Sequence, residues 1–106
     1  MIAQITSPDQ TVLLGFHALS DPIRLDVLTL LQQEELCVCD LCTRLQVSQS
    51  KLSFHLRTLK NAGLVLTRQS GRWIYYRLNI PAFANLEQYL AEYRHLQPRT
   101  SQRQCS

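Results

Sequence analysis

Apolar residues recur at helical spacing through most of the 106-residue chain. Ser7-Pro8 reads as a helix start, with Ser7 as N-cap and Pro8 at the first helical position. Val12, Leu13, Phe16 and Leu19 follow on one face. Asp21-Pro22 repeats the start signal, and Ile23, Val27, Leu28 and Leu31 predict a second helix ending near Gln33. A short third helix is expected over Val38 to Leu45, with Leu41 and Leu45 inward. Gln46-Val47 turns the chain. Ser48 then caps a fourth helix, Gln49 to Ala62, whose stripe is Leu52, Leu56 and Leu59. Gly63 suits the left-handed position after that helix, with Leu64 packing back.

The period then changes. Leu64 to Arg68 and Arg72 to Leu78 read as two strands, with Gln69-Ser70-Gly71 as the hairpin tip. Ile74, Tyr76 and Leu78 share one face of the second strand. A last helix is expected from Pro81 to His95, carrying Phe83, Leu86, Leu90 and Tyr93. Residues 1–96 form one domain in this reading, and 97–106 a polar, mobile tail. Two short helices joined by a tight turn and followed by a hairpin predict a winged helix-turn-helix, mainly α with one β-hairpin.

Charge sharpens the picture. The net charge is +3, but residues 1–50 carry two basic and six acidic groups, a balance of −4. Residues 51–106 carry nine basic and two acidic groups, or +7. Lys51, Arg57, Lys60, Arg68, Arg72 and Arg77 occur in one stretch with no acid between them. That stretch coincides with the fourth helix and the hairpin, which points to nucleic acid as a partner.

The apolar stripe of the fourth helix must face the core. Gln49, Ser50, Lys51, Ser53, Phe54 and Arg57 are therefore the outward candidates for DNA contact. Lys60 and Arg57 suit phosphate, and Gln69 and Arg72 lie at the hairpin tip. His55 sits beside the stripe and is expected to bond within the motif. Trp73 and Tyr75 are expected to pack on the sheet.

Four cysteines complete the unusual chemistry. Cys37, Cys39 and Cys42 lie within six residues, and Cys105 is alone near the end. Clustered thiols favour a soft ion. A structural zinc site usually needs four ligands, whereas arsenite or antimonite takes three thiolates. Cys39 and Cys42 can share a helix face, but Cys37 and Cys39 cannot face one another on a regular helix. Binding all three therefore needs Cys37 to precede the third helix, or its first turn to deform. The helix N-terminus should favour thiolate over thiol.

These residues resemble the ArsR/SmtB family of bacterial metal-sensing repressors. The likeness runs from about Leu14 to Leu90. It is carried by Leu19-Ser20-Asp21-Pro22-Ile23-Arg24-Leu25, by Glu35 to Cys42, by Ser48 to Leu56 and by the hairpin Gly71 to Leu78. The string from Glu35 to Cys42 resembles the arsenite-sensing branch in particular. The resemblance implies a homodimer, joined through its first and last helices at Leu13, Phe16, Phe83, Leu86 and Leu90. It further implies a repressor that binds double-stranded operator DNA with an inverted repeat when apo. As(III) or Sb(III) would be the inducer, held by Cys37, Cys39 and Cys42, with no organic cofactor. Glu87, Glu92 and His95 match poorly the zinc ligands that other branches place on the last helix. Cys105 has no counterpart and reads as a free tail thiol.

Other classes remain on the table at this level. The thiols could sense oxidation, or a different soft metal such as zinc, cadmium or lead. A thiol oxidoreductase or metal carrier is a further alternative, although a thioredoxin-like site needs a strand leading into Cys39 and Cys42 that the pattern does not supply. No catalytic Ser/His/Asp set or phosphate-cradling glycine loop stands out, so an enzyme is not expected. No apolar run approaches the ~20 residues of a transmembrane helix, and the N-terminus lacks signal-peptide features. The expectation is a cytoplasmic protein without a membrane partner.

Overall fold

The computed structural model describes residues 9–103. The order of elements is α1 (Gln10–Ala18), α2 (Pro22–Leu31), β1 (Leu36–Cys37), α3 (Val38–Leu45), α4 (Gln49–Asn61), β2 (Val65–Ser70), β3 (Trp73–Leu78) and α5 (Ile80–Arg94). This is a winged helix-turn-helix, with α3 and α4 as the motif and β2–β3 as the wing. No helix among the described residues is long and apolar enough to cross a membrane.

Local chemistry sets most boundaries. Ser7 and Pro8 lie outside the described residues, and Asp9 caps α1 by accepting from the Val12 N–H at 3.0 Å. Asp21 caps α2 through the N–H groups of Ile23 and Arg24, at 2.8 and 3.2 Å. Pro22 follows at the first helical position, where its missing N–H costs nothing. Helix α2 ends at Leu31, two residues short of the expected Gln33. Ser48 caps α4 by accepting from the Lys51 N–H at 3.2 Å.

The end of α4 is a Schellman motif. Leu64 N–H donates to the Leu59 carbonyl at 3.1 Å, and Gly63 N–H to that of Lys60 at 2.9 Å. Gly63 holds φ +77°, as the motif requires. Between α3 and α4, Gln46 occupies the left-handed region at φ 55°. Its N–H returns to the Cys42 carbonyl at 2.8 Å, which closes α3 and starts the tight turn.

The sheet has three strands rather than the expected two. Its order is β1-β3-β2, antiparallel throughout. Leu36 pairs with Tyr76 and Cys37 with Tyr75, so the residues just before α3 form an edge of the wing. Such a two-residue strand is too short to show a period in sequence. The wing tip is Gly71-Arg72, one residue later than predicted, with Ser70 paired to Trp73. Tyr76 and Leu78 pack on the core, whereas Ile74, farther along the same face of β3, is exposed.

The core joins Val27, Leu28 and Leu31 of α2 to Leu41 of α3 and to Leu52, Leu56 and Leu59 of α4. Leu36, Leu64 and Val65 close it from the sheet side, and Leu45 packs at its margin. Leu86, which the resemblance placed at the dimer contact, belongs to the core of its own chain. It is only 6% exposed within one chain and packs on α1, where an added Cβ on Gly15 would meet its Cδ2 at 2.9 Å. Phe83 and Phe16 are half-buried against the same core. Leu13 and Leu90, by contrast, are 50% and 54% exposed. Beyond Arg94 no regular element continues through the described residues.

Candidate functional site

The outward side of α4 carries the candidates expected from sequence. Gln49, Ser50, Lys51, Phe54, Arg57 and Lys60 are exposed, and Ser53 is half-buried. Phe54 is 58% exposed, unusual for a phenylalanine in water, and meets the His55 ring edge-on at 5.3 Å. At the wing tip, Arg72 is exposed and its guanidinium lies 5.3 Å from the Trp73 ring. Trp73 is itself 42% exposed rather than packed under the sheet. Gln69 is also exposed, and its side-chain amide donates to the Gly71 carbonyl at 3.2 Å, so it braces the turn. Tyr75 lies under the Arg68 guanidinium at 4.6 Å.

The cationic stretch is less uniform than its sequence suggests. Glu35, from the loop before β1, reaches Arg68 at 2.7 Å and Arg77 at 4.0 Å. Its hydrogen bond raises the Arg68 pKa further above the ordinary arginine value, against a smaller opposing effect of burial. Among the described residues, no ion pair engages Lys51, Arg57, Lys60 or Arg72. Four cations free of ion pairs thus lie on α4 and the wing tip. A second acid of the same loop, Glu34, meets Arg44 of α3 at 3.4 Å across an exposed surface.

Beneath α4 lies a buried polar network that sequence reasoning only half anticipated. His55 is buried and has a structural partner, but on α2 rather than within the motif: its Nδ1 accepts from the Arg24 guanidinium at 2.9 Å. Arginine has no acceptor, so this contact needs an unprotonated Nδ1. Arg24 Nε–H donates to the Ala18 carbonyl at 2.8 Å. Asp21 approaches His55 Nδ1 to 3.7 Å. Burial opposes ionisation of Asp21. The backbone N–H groups of Arg24 and Ile23 and the Arg24 charge nevertheless hold its pKa below the ordinary carboxylate value. A lone arginine in an apolar helix stripe gave no sign of this role; only the pairing with His55, distant in sequence, reveals it.

The thiols occupy the junction of wing and motif. Cys37 is the last residue of β1 and the cap position of α3, so it precedes the helix. It is buried, and its Sγ–H donates to the Asp40 carboxylate at 3.2 Å. Cys39 is exposed on the first turn of α3, and Cys42 is half-buried one turn later. Burial first, then the proximity of Cys39, raises the Cys42 pKa above the ordinary thiol value. The expected preference for thiolate is therefore reversed at Cys42, which is already remote from the helix N-terminus. Cys105 lies outside the described residues.

As donors, three thiols suit a soft trivalent ion. They are not assembled around one point, however: among the described residues no group of three Cys, His, Asp or Glu side chains is placed to hold a metal ion. Cys37 and Cys39 instead open onto one groove, with a volume of about 210 Å³, whose walls include Gln49 of α4 and Arg72, Trp73 and Ile74 of the wing.

Comparison with known proteins agrees with the winged helix-turn-helix fold. The family model described as bacterial regulatory protein, arsR family, matches residues 21–67. The chain is 51% identical over 72 residues to the arsenical resistance operon repressor of Escherichia coli K12, covering 65% of this chain and 62% of that protein. The aligned segment thus spans less than two thirds of that relative. Among solved structures, an ArsR-like transcriptional regulator from Rhodococcus sp. RHA1 superposes with TM-score 0.73 at 32% identity, covering 79% of each chain. A possible transcriptional regulator for arsenical resistance superposes with TM-score 0.68 at 34% identity, covering 74% of this chain and 82% of that one.

Proposed function

Since the chain belongs to the ArsR family of bacterial regulatory proteins, we propose that it is a transcriptional repressor whose grip on operator DNA is released by trivalent arsenic or antimony. The observation that carries this reading is the position of Cys37. It is at once a candidate ligand, the cap residue of α3 and the strand partner of Tyr75 in the wing. The similarity to an arsenical resistance operon repressor supports the choice of ligand.

In this reading α4 enters the major groove by its N-terminal turns. Gln49, Ser50, Lys51, Ser53 and Phe54 face base edges, and Arg57 and Lys60 take phosphate. Gln69 and Arg72 bring the wing to the adjacent backbone. A homodimer through α1 and α5 would present two copies of α4 about 34 Å apart, matching an inverted repeat. Leu13 and Leu90 provide apolar surface for that contact, with Phe16 and Phe83 at its margin. Leu86 supports it from within each chain.

Cys37, Cys39 and Cys42 would hold the inducer, which supplies strong bonds to sulfur when bound. Because these thiols are not already gathered, collecting them requires movement of Cys37 or of the first turn of α3. Movement of Cys37 strains its pairing with Tyr75 in the wing. Movement of α3 displaces the turn at Gln46 that aims α4. Either motion disturbs a DNA-facing element, which gives the inducer a differential affinity for the released state.

The test is to bind the reduced protein to a labelled duplex bearing its operator and then add As(III), Sb(III), Zn(II) or Cd(II). Release by As(III) and Sb(III) is expected. Undiminished DNA binding in their presence contradicts the proposal, and release by peroxide alone, reversed by reductant, favours a redox sensor instead.

A further inference from the structure

The exposed side of α4 holds one side chain that can neither donate nor accept a hydrogen bond. Phe54 is 58% exposed, and its neighbours three and four positions away along the helix are Ser50, Lys51, Arg57 and Thr58. All four are polar. Lys51 and Arg57 are free of ion pairs among the described residues, as is Lys60 farther along the helix. A lone apolar side chain on a surface is ordinary. One set among free cations faces the polyanion that those cations attract, because the centre of a protein contact is depleted of such charge.

The ring is also held in place. It meets the His55 imidazole edge-on, with centroids 5.3 Å apart. That imidazole is buried and bonded to Arg24 of α2 at 2.9 Å. The buried network therefore braces the phenyl group from below. A ring placed in advance gives up little rotamer freedom when it makes contact.

We infer that Phe54 is a specificity-determining residue: its ring covers the C5-methyl group of one thymine in each half of the operator. This rests on the reading of α4 as the helix that enters the major groove. In that groove guanine presents N7 and O6, adenine N7 and N6, cytosine N4, and thymine O4 with its methyl group. The thymine methyl is the one apolar group among these. A phenyl ring over a G·C pair would take water from polar base atoms and return no hydrogen bond. Over thymine it buries a methyl instead. Phe54 thus favours T·A through apolar contact and disfavours G·C through unmet hydrogen bonds, two effects of the same sign. The cations beside it position the helix on phosphate and carry no base preference of their own there.

Duplexes that bind the reduced full-length protein are first selected from a random pool. Each thymine of the selected site is then replaced in turn by deoxyuridine, which removes the methyl and keeps the base pair. Anisotropy titrations compare the parent chain with Phe54→Ala and Phe54→Leu. For the parent, one thymine in each half-site is expected to show a loss of about fourfold on replacement, the worth of one buried methyl. A C·G pair at the same position should cost about tenfold. Phe54→Ala should bind the thymine and uracil duplexes equally at that position, whereas Phe54→Leu, still apolar, should retain discrimination between them. Both variants should keep the salt dependence of the parent, which shows that α4 still docks. The inference is overturned if no single deoxyuridine weakens the parent, or if Phe54→Ala discriminates at the same thymine as strongly as the parent does. In either case duplex binding itself survives, and with it the proposed function. If the parent chain selects no duplex at all, the proposed function fails as well.

Discussion

The guanidinium of Arg24 donates to His55 Nδ1 at 2.9 Å, tying α2 to the middle of α4 inside the protein. The two residues are 31 positions apart, and each is buried. Arg24 also holds the Ala18 carbonyl, so the contact fixes α4 relative to the end of α1 as well. His55→Ala would leave the buried guanidinium without one partner, a loss of about 1–3 kcal/mol. Chemical denaturation should show it. Operator affinity should fall without a change in its salt dependence, because His55 takes no phosphate.

Asp21 makes the same region acid-sensitive. Its pKa is depressed in the folded protein, so its contribution to stability is complete above the unfolded value of 3.8. It is lost as pH falls below 3.8 through the lower folded value. Asp21→Asn should therefore flatten the acid limb of a stability profile below about pH 4 relative to the parent chain. A parallel acid limb in the two proteins would remove Asp21 from the account.

The free cations of α4 and the wing tip should dominate the salt dependence of DNA binding. Arg57→Ala, Lys60→Ala and Arg72→Ala are each expected to reduce the slope of log affinity against log salt by about one. Arg68→Ala and Arg77→Ala should do less, because Glu35 already engages both. Anisotropy titrations at several salt concentrations distinguish the two groups.

Much of this arrangement could be read from the chain because it is made locally. Ser48 announces the start of α4 and Gly63 its end, and each meets a backbone group within a few residues. The turn at Gln46 and the winged order follow from the same short-range signals. The features that could not be read join distant positions. Glu35 neutralises Arg68 across the sheet, and Arg24 finds His55 through the core. Strand β1 exists only because β3 lies beside it. Leu86 and Leu90 show a related limit: a helical stripe looks alike whether it faces its own core or a second molecule. The three cysteines were evident at once, but their division between a shared groove and a half-buried third site was not.

Those two leucines should part in experiment. Leu86→Ala opens a cavity between α1 and α5 and should cost about 2–5 kcal/mol. Leu90→Lys, at a half-exposed position, should leave thermal unfolding of the monomer nearly unchanged while weakening self-association. Sedimentation alongside denaturation checks both. An unchanged oligomeric state in Leu90→Lys would exclude this part of α5 from the proposed interface.

Cys37→Ser, Cys39→Ser and Cys42→Ser should retain operator affinity, since none is among the proposed DNA contacts, yet each should blunt release by As(III). Retention of a full response by any of them removes that thiol from the ligand set.

The central claim is that loading the thiols and holding the operator oppose one another within one molecule. Linkage makes this measurable in both directions. As(III) affinity should be determined for the reduced protein free and saturated with operator duplex. Operator should weaken As(III) binding by the same factor by which As(III) weakens operator binding. Equal As(III) affinity in the two states would contradict the account, however tightly the thiols bind it.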